Sequence, residues 1–210
     1  MYGGMNTIEE KLIIKMYIED KFSAVQISEF VHISVSKIVR ILDVNNVQKR
    51  NISEAITQLN ITKFHKVPFQ LKSNLSPVEN DLKLTGIMLY WGEGAKTGGG
   101  VKFANSNPEM ICVFLRFLRE ICGVNEKRIK MMIHLYPDQS SDLLKNFWSS
   151  TTGVGLENFY RPHALVGKKG TYKNKSIYGT ATINYSDKKL LTLILKWIED
   201  YKNSFFKLPE

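Results

Sequence analysis

The sequence predicts a two-domain protein, with a small all-α domain at the N-terminus and a larger α+β domain after it. Over roughly the first 60 residues, apolar side chains repeat only at helical spacing, whereas beyond residue 77 three stretches of two-residue alternation lie between helical stripes. At 61–77 the pattern loosens around Lys63–Pro68, which indicates a linker. The expected domains are therefore 1–60 and 78–210, and the 210-residue chain is long enough to give both a core.

The chain is strongly basic, with a formal net charge of +9 and an isoelectric point near 9.4. Such a charge on a folded protein suggests a polyanionic partner, most often nucleic acid. A membrane is disfavoured because no apolar run approaches about 18 residues, and Met1–Lys11 lacks the apolar core of a signal peptide. Cys112 and Cys122 are expected as free thiols. The expected location is the cytoplasm, in association with the nucleoid.

Four helices are predicted in the first domain. The first covers 8–20 and places Ile8, Leu12, Ile13 and Met16 on one stripe. The second spans about 24–31, and the third follows a short break at His32–Ser34. A fourth helix is expected at about 53–60.

The spacing of residues 22–50 is that of a helix-turn-helix, whose second helix enters the major groove of DNA. Ser36, Lys37 and Arg40 are predicted to project together towards DNA, while Val35, Ile38, Val39 and Leu42 pack inward. Lys49 and Arg50 would suit phosphates. The segment resembles the helix-turn-helix of resolvases and many bacterial regulators, although His32 stands where such motifs usually have glycine or another small residue. The alternative is a helical bundle that caps the larger domain or recognises protein.

The second domain is predicted as helix, strand, helix, strand, helix, strand, helix, an order typical of α+β folds with an antiparallel sheet. The first helix ends at Gly94, and a turn at Gly98–Gly100 leads into the first strand. Asn107-Pro108 starts the second helix, as cap and first helical residue. The expected ranges are 78–92, 101–105, 108–121, 128–136, 139–151, 176–185 and 187–203.

The strands alternate between an apolar face and a basic, hydroxyl-rich face, which suits phosphates and base edges. Ile129, Met131, Ile133 and Leu135 lie on one face of their strand, and Ile177, Ala181, Ile183 and Tyr185 on the corresponding face of theirs. Major-groove contacts are predicted from the opposite face, by Lys102, Lys130, His134, Thr180 and Thr182. Phosphate contacts are predicted from an acid-free stretch at 158–186, by Arg161, Lys168, Lys169, Lys173 and Lys175. The alternative is that any half-exposed sheet alternates and that the lysines are merely solvated.

Residues 84–94, Leu-Thr-Gly-Ile-Met-Leu-Tyr-Trp-Gly-Glu-Gly, resemble the signature helix of the LAGLIDADG homing endonucleases. Residues 101–110 are similar to the family's strand and the turn into its next helix, and the resemblance extends over about 125 residues. It implies an αββαββα saddle, here with an added helix, that lies over duplex DNA. In place of the first acid of the signature this chain has Trp91.

The resemblance also implies a chemistry. Glu93 would be the catalytic carboxylate and the ligand of Mg²⁺, and a single copy of the motif would require a homodimer through the 84–93 helix. No small-molecule cofactor is expected. The function expected is therefore a sequence-specific double-strand DNA endonuclease. The alternatives are a non-catalytic DNA-binding transcription regulator on a degenerate LAGLIDADG domain and, more distantly, an RNA-binding protein.

Overall fold

A computed structural model of the protein describes residues 7–64, 67–168 and 170–205. The chain divides between His65 and Lys66 into two compact units, called unit 1 and unit 2 below. No helix in the described ranges is both long enough and apolar enough to cross a bilayer.

Unit 1 is all-α, and its helices are α1 Thr7–Ile18, α2 Ala24–Val31, α3 Val35–Val44 and α4 Ile52–Phe64. Its core consists of apolar side chains from the first three helices: Ile13, Met16, Ile27, Ile38, Ile41 and Leu42. The stripe predicted for the first helix is half wrong, because Ile8 and Leu12 are 72% and 46% exposed. Two short helices cover only one side of α1, so only the Ile13–Met16 side is buried. Val35, expected to pack inward, is also exposed.

The turn between α2 and α3 depends on two local features. Ser23 caps α2 by accepting a hydrogen bond from the Gln26 amide, and the Gln26 side chain accepts from the Ser23 amide in return. His32 then ends α2 in the left-handed conformation, with φ of 54°. This conformation favours glycine. At His32 the backbone of the turn is therefore strained.

Residues of the expected linker are part of the two units. Helix α4 continues to Phe64. The stretch from Pro68 to Lys72 is hydrogen-bonded to the rest of unit 2: the amides of Gln70 and Lys72 donate to the carbonyls of Gly123 and Ile121. The hydroxyl of Tyr185 and the amide of Asn125 both donate to the carbonyl of Pro68.

Unit 2 is α+β, and its helices and strands follow the predicted order with one additional short strand. They are α5 Pro77–Glu93, β1 Val101–Asn105, α6 Pro108–Arg116, β2 Ile129–Leu135, α7 Ser141–Thr152, β3 His163–Ala164, β4 Thr180–Tyr185 and α8 Lys188–Phe205. A π-helical segment, Phe117–Ile121, prolongs α6. Ser76 and Glu79 form a capping box at the start of α5, and Pro77 is at its first position.

The described strands form one four-stranded sheet in the order β1-β4-β2-β3. Strand β4 pairs antiparallel with both β1 and β2, in the register Phe103↔Ile183↔Met131. The expectation of a purely antiparallel sheet is wrong at one edge, because β3 pairs parallel with β2. The physical reason is that β3 returns to β2 only after α7 has crossed over, so the two strands run in the same direction.

The last strand is shorter than the predicted 176–185. It begins at Thr180, after a turn in which Gly179 has φ of 63°. Ile177, expected on the buried face, therefore precedes the sheet and is 73% exposed. Tyr178 stacks on Phe147 instead, with ring centres 4.2 Å apart.

The core of unit 2 lies between one face of the sheet and helices α5, α6, α7 and α8. Phe103, Phe114 and Tyr90 stack in it, with the Phe103 and Phe114 ring centres 4.3 Å apart. Gly86 lets α5 approach the π-helical segment, because a Cβ atom at this position would lie 2.6 Å from Cβ of Phe117. Gly86 is thus used for packing within the chain.

Candidate nucleic-acid interface

The two faces of the sheet differ sharply in burial. The face towards the helices is fully apolar and buried, from Val101 and Phe103 on β1 to Ile129, Met131 and Ile133 on β2. The opposite face, called the open face below, carries half-buried to exposed side chains with the exception of Thr182, which is 8% exposed. The open face consists of Lys102, Ala104, Lys130, Met132, His134, His163, Thr180, Thr182 and Asn184.

The sheet register arranges these side chains in rows across the strands. Lys102, Asn184 and Lys130 are register partners on β1, β4 and β2. Because neighbouring strands are about 4.8 Å apart, the two lysine backbones are separated by about 10 Å, with the Asn184 amide between them. Lys102 is exposed, whereas the Lys130 ammonium donates to Oδ1 of Asn158 at 2.6 Å. The row therefore combines two cations with an amide that can both donate and accept.

A second row contains Thr180, His134 and His163, which are register partners on β4, β2 and β3. The two imidazole ring centres are 5.5 Å apart. Burial lowers the pKa of His134, and the neighbouring His163 lowers it further. The open face thus carries permanent charge at one end and imidazoles at the other.

Of the phosphate contacts predicted in the 158–186 stretch, some are exposed and one is already paired. Arg161, Lys168 and Lys173 are exposed. Lys175 forms an ion pair with Asp138, so its charge is partly neutralised. Lys169 lies outside the described residues.

In unit 1, Ser36, Lys37 and Arg40 are exposed on α3, on the side away from the buried Ile38 and Leu42. This is the orientation that a recognition helix requires.

The basic pair after α3 has partners within unit 1. Lys49 forms an ion pair with Asp43 at 2.7 Å. The Arg50 guanidinium donates to the carbonyls of Lys21 and Phe22 and lies 4.2 Å from the centre of the Tyr17 ring. Arg50 thus joins the end of the α3 region to the loop between α1 and α2, while its contact with phosphate stays a prediction.

Glu93 is the last residue of α5 and is exposed. The next residue, Gly94, forms a β-bridge with Phe103, and the Ala95 amide donates to the carbonyl of Lys102. Glu93 therefore lies beside the β1 edge of the sheet. The described residues contain no group of three or more His, Cys, Asp or Glu side chains able to hold a metal ion. One carboxylate fits Mg²⁺ only as part of a shared site, since Mg²⁺ in proteins is commonly held by one or two carboxylates together with substrate phosphates and water.

The outer side of α5 is partly apolar. Val78, Leu84 and Trp91 are 71%, 40% and 39% exposed. A Cβ atom added at Gly92 would have no neighbour within 4 Å. In the single chain this side is available for contact with another molecule.

Comparison of the chain with protein-family models, with characterised proteins and with solved structures finds no match.

Two polar residues of the open face, Asn184 and His163, are absent from the predicted contacts. Asn184 was recognisable from the alternation along its strand, on which it shares a face with Thr180 and Thr182. His163 was not, because β3 is two residues long and has no periodicity to detect.

Proposed function

We propose that the protein binds double-stranded DNA, with the open face of unit 2 and helix α3 of unit 1 as its contact surfaces. The observation that supports this most directly is the asymmetry of the sheet, which is apolar on the helix-covered side and rich in cations and hydrogen-bonding groups on the other. The net charge of +9 supplies the general attraction to a polyphosphate.

On this proposal the two lysine positions of the open face differ in role. Lys102, which is exposed, contacts a phosphate or a guanine edge. Lys130 is oriented by Asn158 and contributes charge from a fixed position. Asn184 between them can recognise an adenine through its amide, which donates and accepts at once.

Fluorescence anisotropy with a labelled duplex library tests this proposal. Lys102→Gln is expected to weaken binding and to reduce the slope of log affinity against log salt by about 1. Lys196→Gln is the matched control, because Lys196 is exposed on α8, in the helical layer on the other side of the sheet. Equal losses in the two variants would show that only net charge matters and would remove the open face as the contact surface. Stronger binding to duplex RNA than to DNA would favour an RNA ligand.

We further propose that unit 2 is a LAGLIDADG-like saddle that cuts DNA as a homodimer through the outer side of α5. The support is the exposed carboxylate of Glu93 beside the β1 edge, next to the open surface at Gly92. Glu93 of each copy would hold Mg²⁺, which supplies an activated water and charge stabilisation at the phosphate. The side chains of the open face would bind and orient the duplex.

Cleavage separates this enzyme from a non-catalytic transcription regulator. A plasmid carrying the gene's own genomic neighbourhood is incubated with protein and Mg²⁺ or Mn²⁺. For the enzyme, Glu93→Gln abolishes cutting while DNA affinity stays within about twofold, and Glu199→Gln on α8 leaves cutting intact. For the regulator, the wild-type protein binds DNA and does not cut it with either ion. Loss of cutting would agree with the presence of Trp91 in place of the first acid of the family's signature.

A further inference from the structure

Two histidines from different strands meet on the open face. His134 on β2 and His163 on β3 are register partners, so their side chains leave the sheet on the same side. Their ring centres are 5.5 Å apart and the rings are tilted by 57°. The DNA-binding proposal uses His134 as a single contact and gives no reason for a second imidazole beside it.

The spacing can be compared with metal coordination. An imidazole nitrogen lies about 2.0–2.1 Å from zinc, which puts the ring centre about 3.2 Å from the ion. Two such ring centres would be about 4.5 Å apart at a right angle, about 5.2 Å apart at the tetrahedral angle, and about 6.4 Å apart in a straight line. The 5.5 Å between His134 and His163 is therefore closest to the tetrahedral arrangement.

We propose that His134 and His163 form a two-imidazole binding site for a first-row transition-metal ion, with Zn²⁺ as the ion that the ring spacing fits best. Imidazole is a ligand for zinc, copper and nickel, whereas magnesium and calcium prefer oxygen ligands. This site is distinct from the Mg²⁺ proposed at Glu93, which involves neither histidine.

The pair provides two ligands, and the described residues add no third His, Cys, Asp or Glu. The other two positions of a tetrahedral ion would be taken by water or by an oxygen of a bound molecule. A site of this kind stays open to a ligand, as catalytic zinc sites do. If the DNA proposal holds, a phosphate oxygen is a suitable additional ligand, since the ion would lie on the face that meets the duplex; metal binding itself does not depend on that proposal.

Calorimetric titration of the full chain with ZnCl₂ tests the site. One Zn²⁺ per chain is expected, and both His134→Gln and His163→Gln should weaken its binding at least tenfold. His32→Asn is the matched control, because His32 is exposed in unit 1 and asparagine tolerates its left-handed backbone. MgCl₂ should not compete. Cobalt(II) offers a second readout, since its visible absorption distinguishes tetrahedral coordination.

His163→Gln is the decisive variant, because His163 is exposed and its replacement leaves the core intact. No saturable zinc binding to the wild-type chain, or undiminished binding by His163→Gln, would overturn the proposal. DNA affinity of the wild-type protein, measured without zinc, keeps the two proposals separate. DNA binding without saturable zinc binding would overturn the metal site alone, and zinc binding without DNA binding would overturn the DNA proposal alone.

Discussion

Replacing Gly86 with alanine is expected to destabilise unit 2, although alanine is the better helix former. Gly86 lies in the middle of α5, where a new methyl group would point at the root of the Phe117 ring, 2.5 Å from Cδ2 and 2.6 Å from Cβ. Phe117 is itself fully buried. The ring cannot move aside without displacing its own neighbours, which include Phe114 and Trp197.

The size of the effect follows from two opposing contributions. Carbon atoms pack at about 3.5–4.0 Å, so the methyl group is short of room by at least about 1 Å, and Cγ of Phe117 is closer still. Overpacking of this kind costs about 3 kcal/mol at the upper end of the usual range. Alanine returns about 1 kcal/mol in helix propensity. The free energy of unfolding of unit 2 should therefore fall by about 2 kcal/mol.

Tryptophan fluorescence during urea unfolding measures this quantity, because all three tryptophans, Trp91, Trp148 and Trp197, lie in unit 2. Gly92→Ala is the matched control on the same helix, where an added methyl group has no neighbour within 4 Å. This control should be neutral or more stable, by up to about 0.5 kcal/mol.

A Gly86→Ala protein as stable as the wild type would refute the packing argument, since the propensity gain would then be unopposed. A second variant checks the cause. Combining Gly86→Ala with Phe117→Ala removes Cγ and the rest of the obstructing ring. The double variant should therefore lose less stability than the sum of the two single losses. Strict additivity would point to a cause other than the contact with Phe117.

Three further predictions concern single side chains. Arg50→Ala should destabilise unit 1 by about 1–2 kcal/mol, because two backbone carbonyls lose a charged donor. A circular dichroism melt measures this loss, and an unchanged melt would mean that Arg50 acts only in binding a ligand. At the start of α5, the hydrogen bond from Lys72 and those from Ser76 lower the pKa of Glu79 to about 2. Because the pKa of Glu79 is depressed in the folded state, its carboxylate stabilises the fold above its ordinary pKa of 4.5. This stabilisation is lost as the pH falls towards 2. The melting temperatures of the wild type and of Glu79→Gln should therefore converge over that pH range. His32→Gly should raise the stability of unit 1 by about 0.5 kcal/mol, since glycine adopts the left-handed turn without strain, and a less stable variant in the same melt would contradict this.

Much of unit 2 could be predicted because its signals are local. The start of α6 is an example: the Asn107 side chain accepts hydrogen bonds from the amides of Glu109 and Met110, and Pro108 begins the helix. The alternation in β2 also places each side chain on the correct face, with a strict buried and half-buried pattern. Both features depend only on residues that are close together in the sequence.

What could not be predicted depends on contacts between distant parts of the chain. Arg50 is a basic residue after a helix, and nothing nearby indicates that its partners are carbonyls 28 and 29 residues earlier. Thr182, whose register partners are Ala104 and Met132, alternates correctly but is buried, whereas Thr180 and Asn184 on the same face of β4 are half-buried. The apolar stripe of α1 shows which side of the helix can be buried. It does not show that another helix covers all of that side, and Ile8 and Leu12 are left exposed.

The hydrogen bonds from Tyr185 and Asn125 to Pro68 have a practical consequence for experiments on isolated unit 2. Tyr185 follows Pro68 by 117 residues and lies in the core beneath the sheet. The segment that precedes α5 therefore supplies a hydrogen-bond acceptor to the interior of unit 2. A fragment cut at the α5 cap would leave the Tyr185 hydroxyl buried without an acceptor, at a cost of about 1–3 kcal/mol. The Asn125 amide would keep only its hydrogen bond to that hydroxyl. Expression of this half of the protein should therefore begin upstream of Pro68.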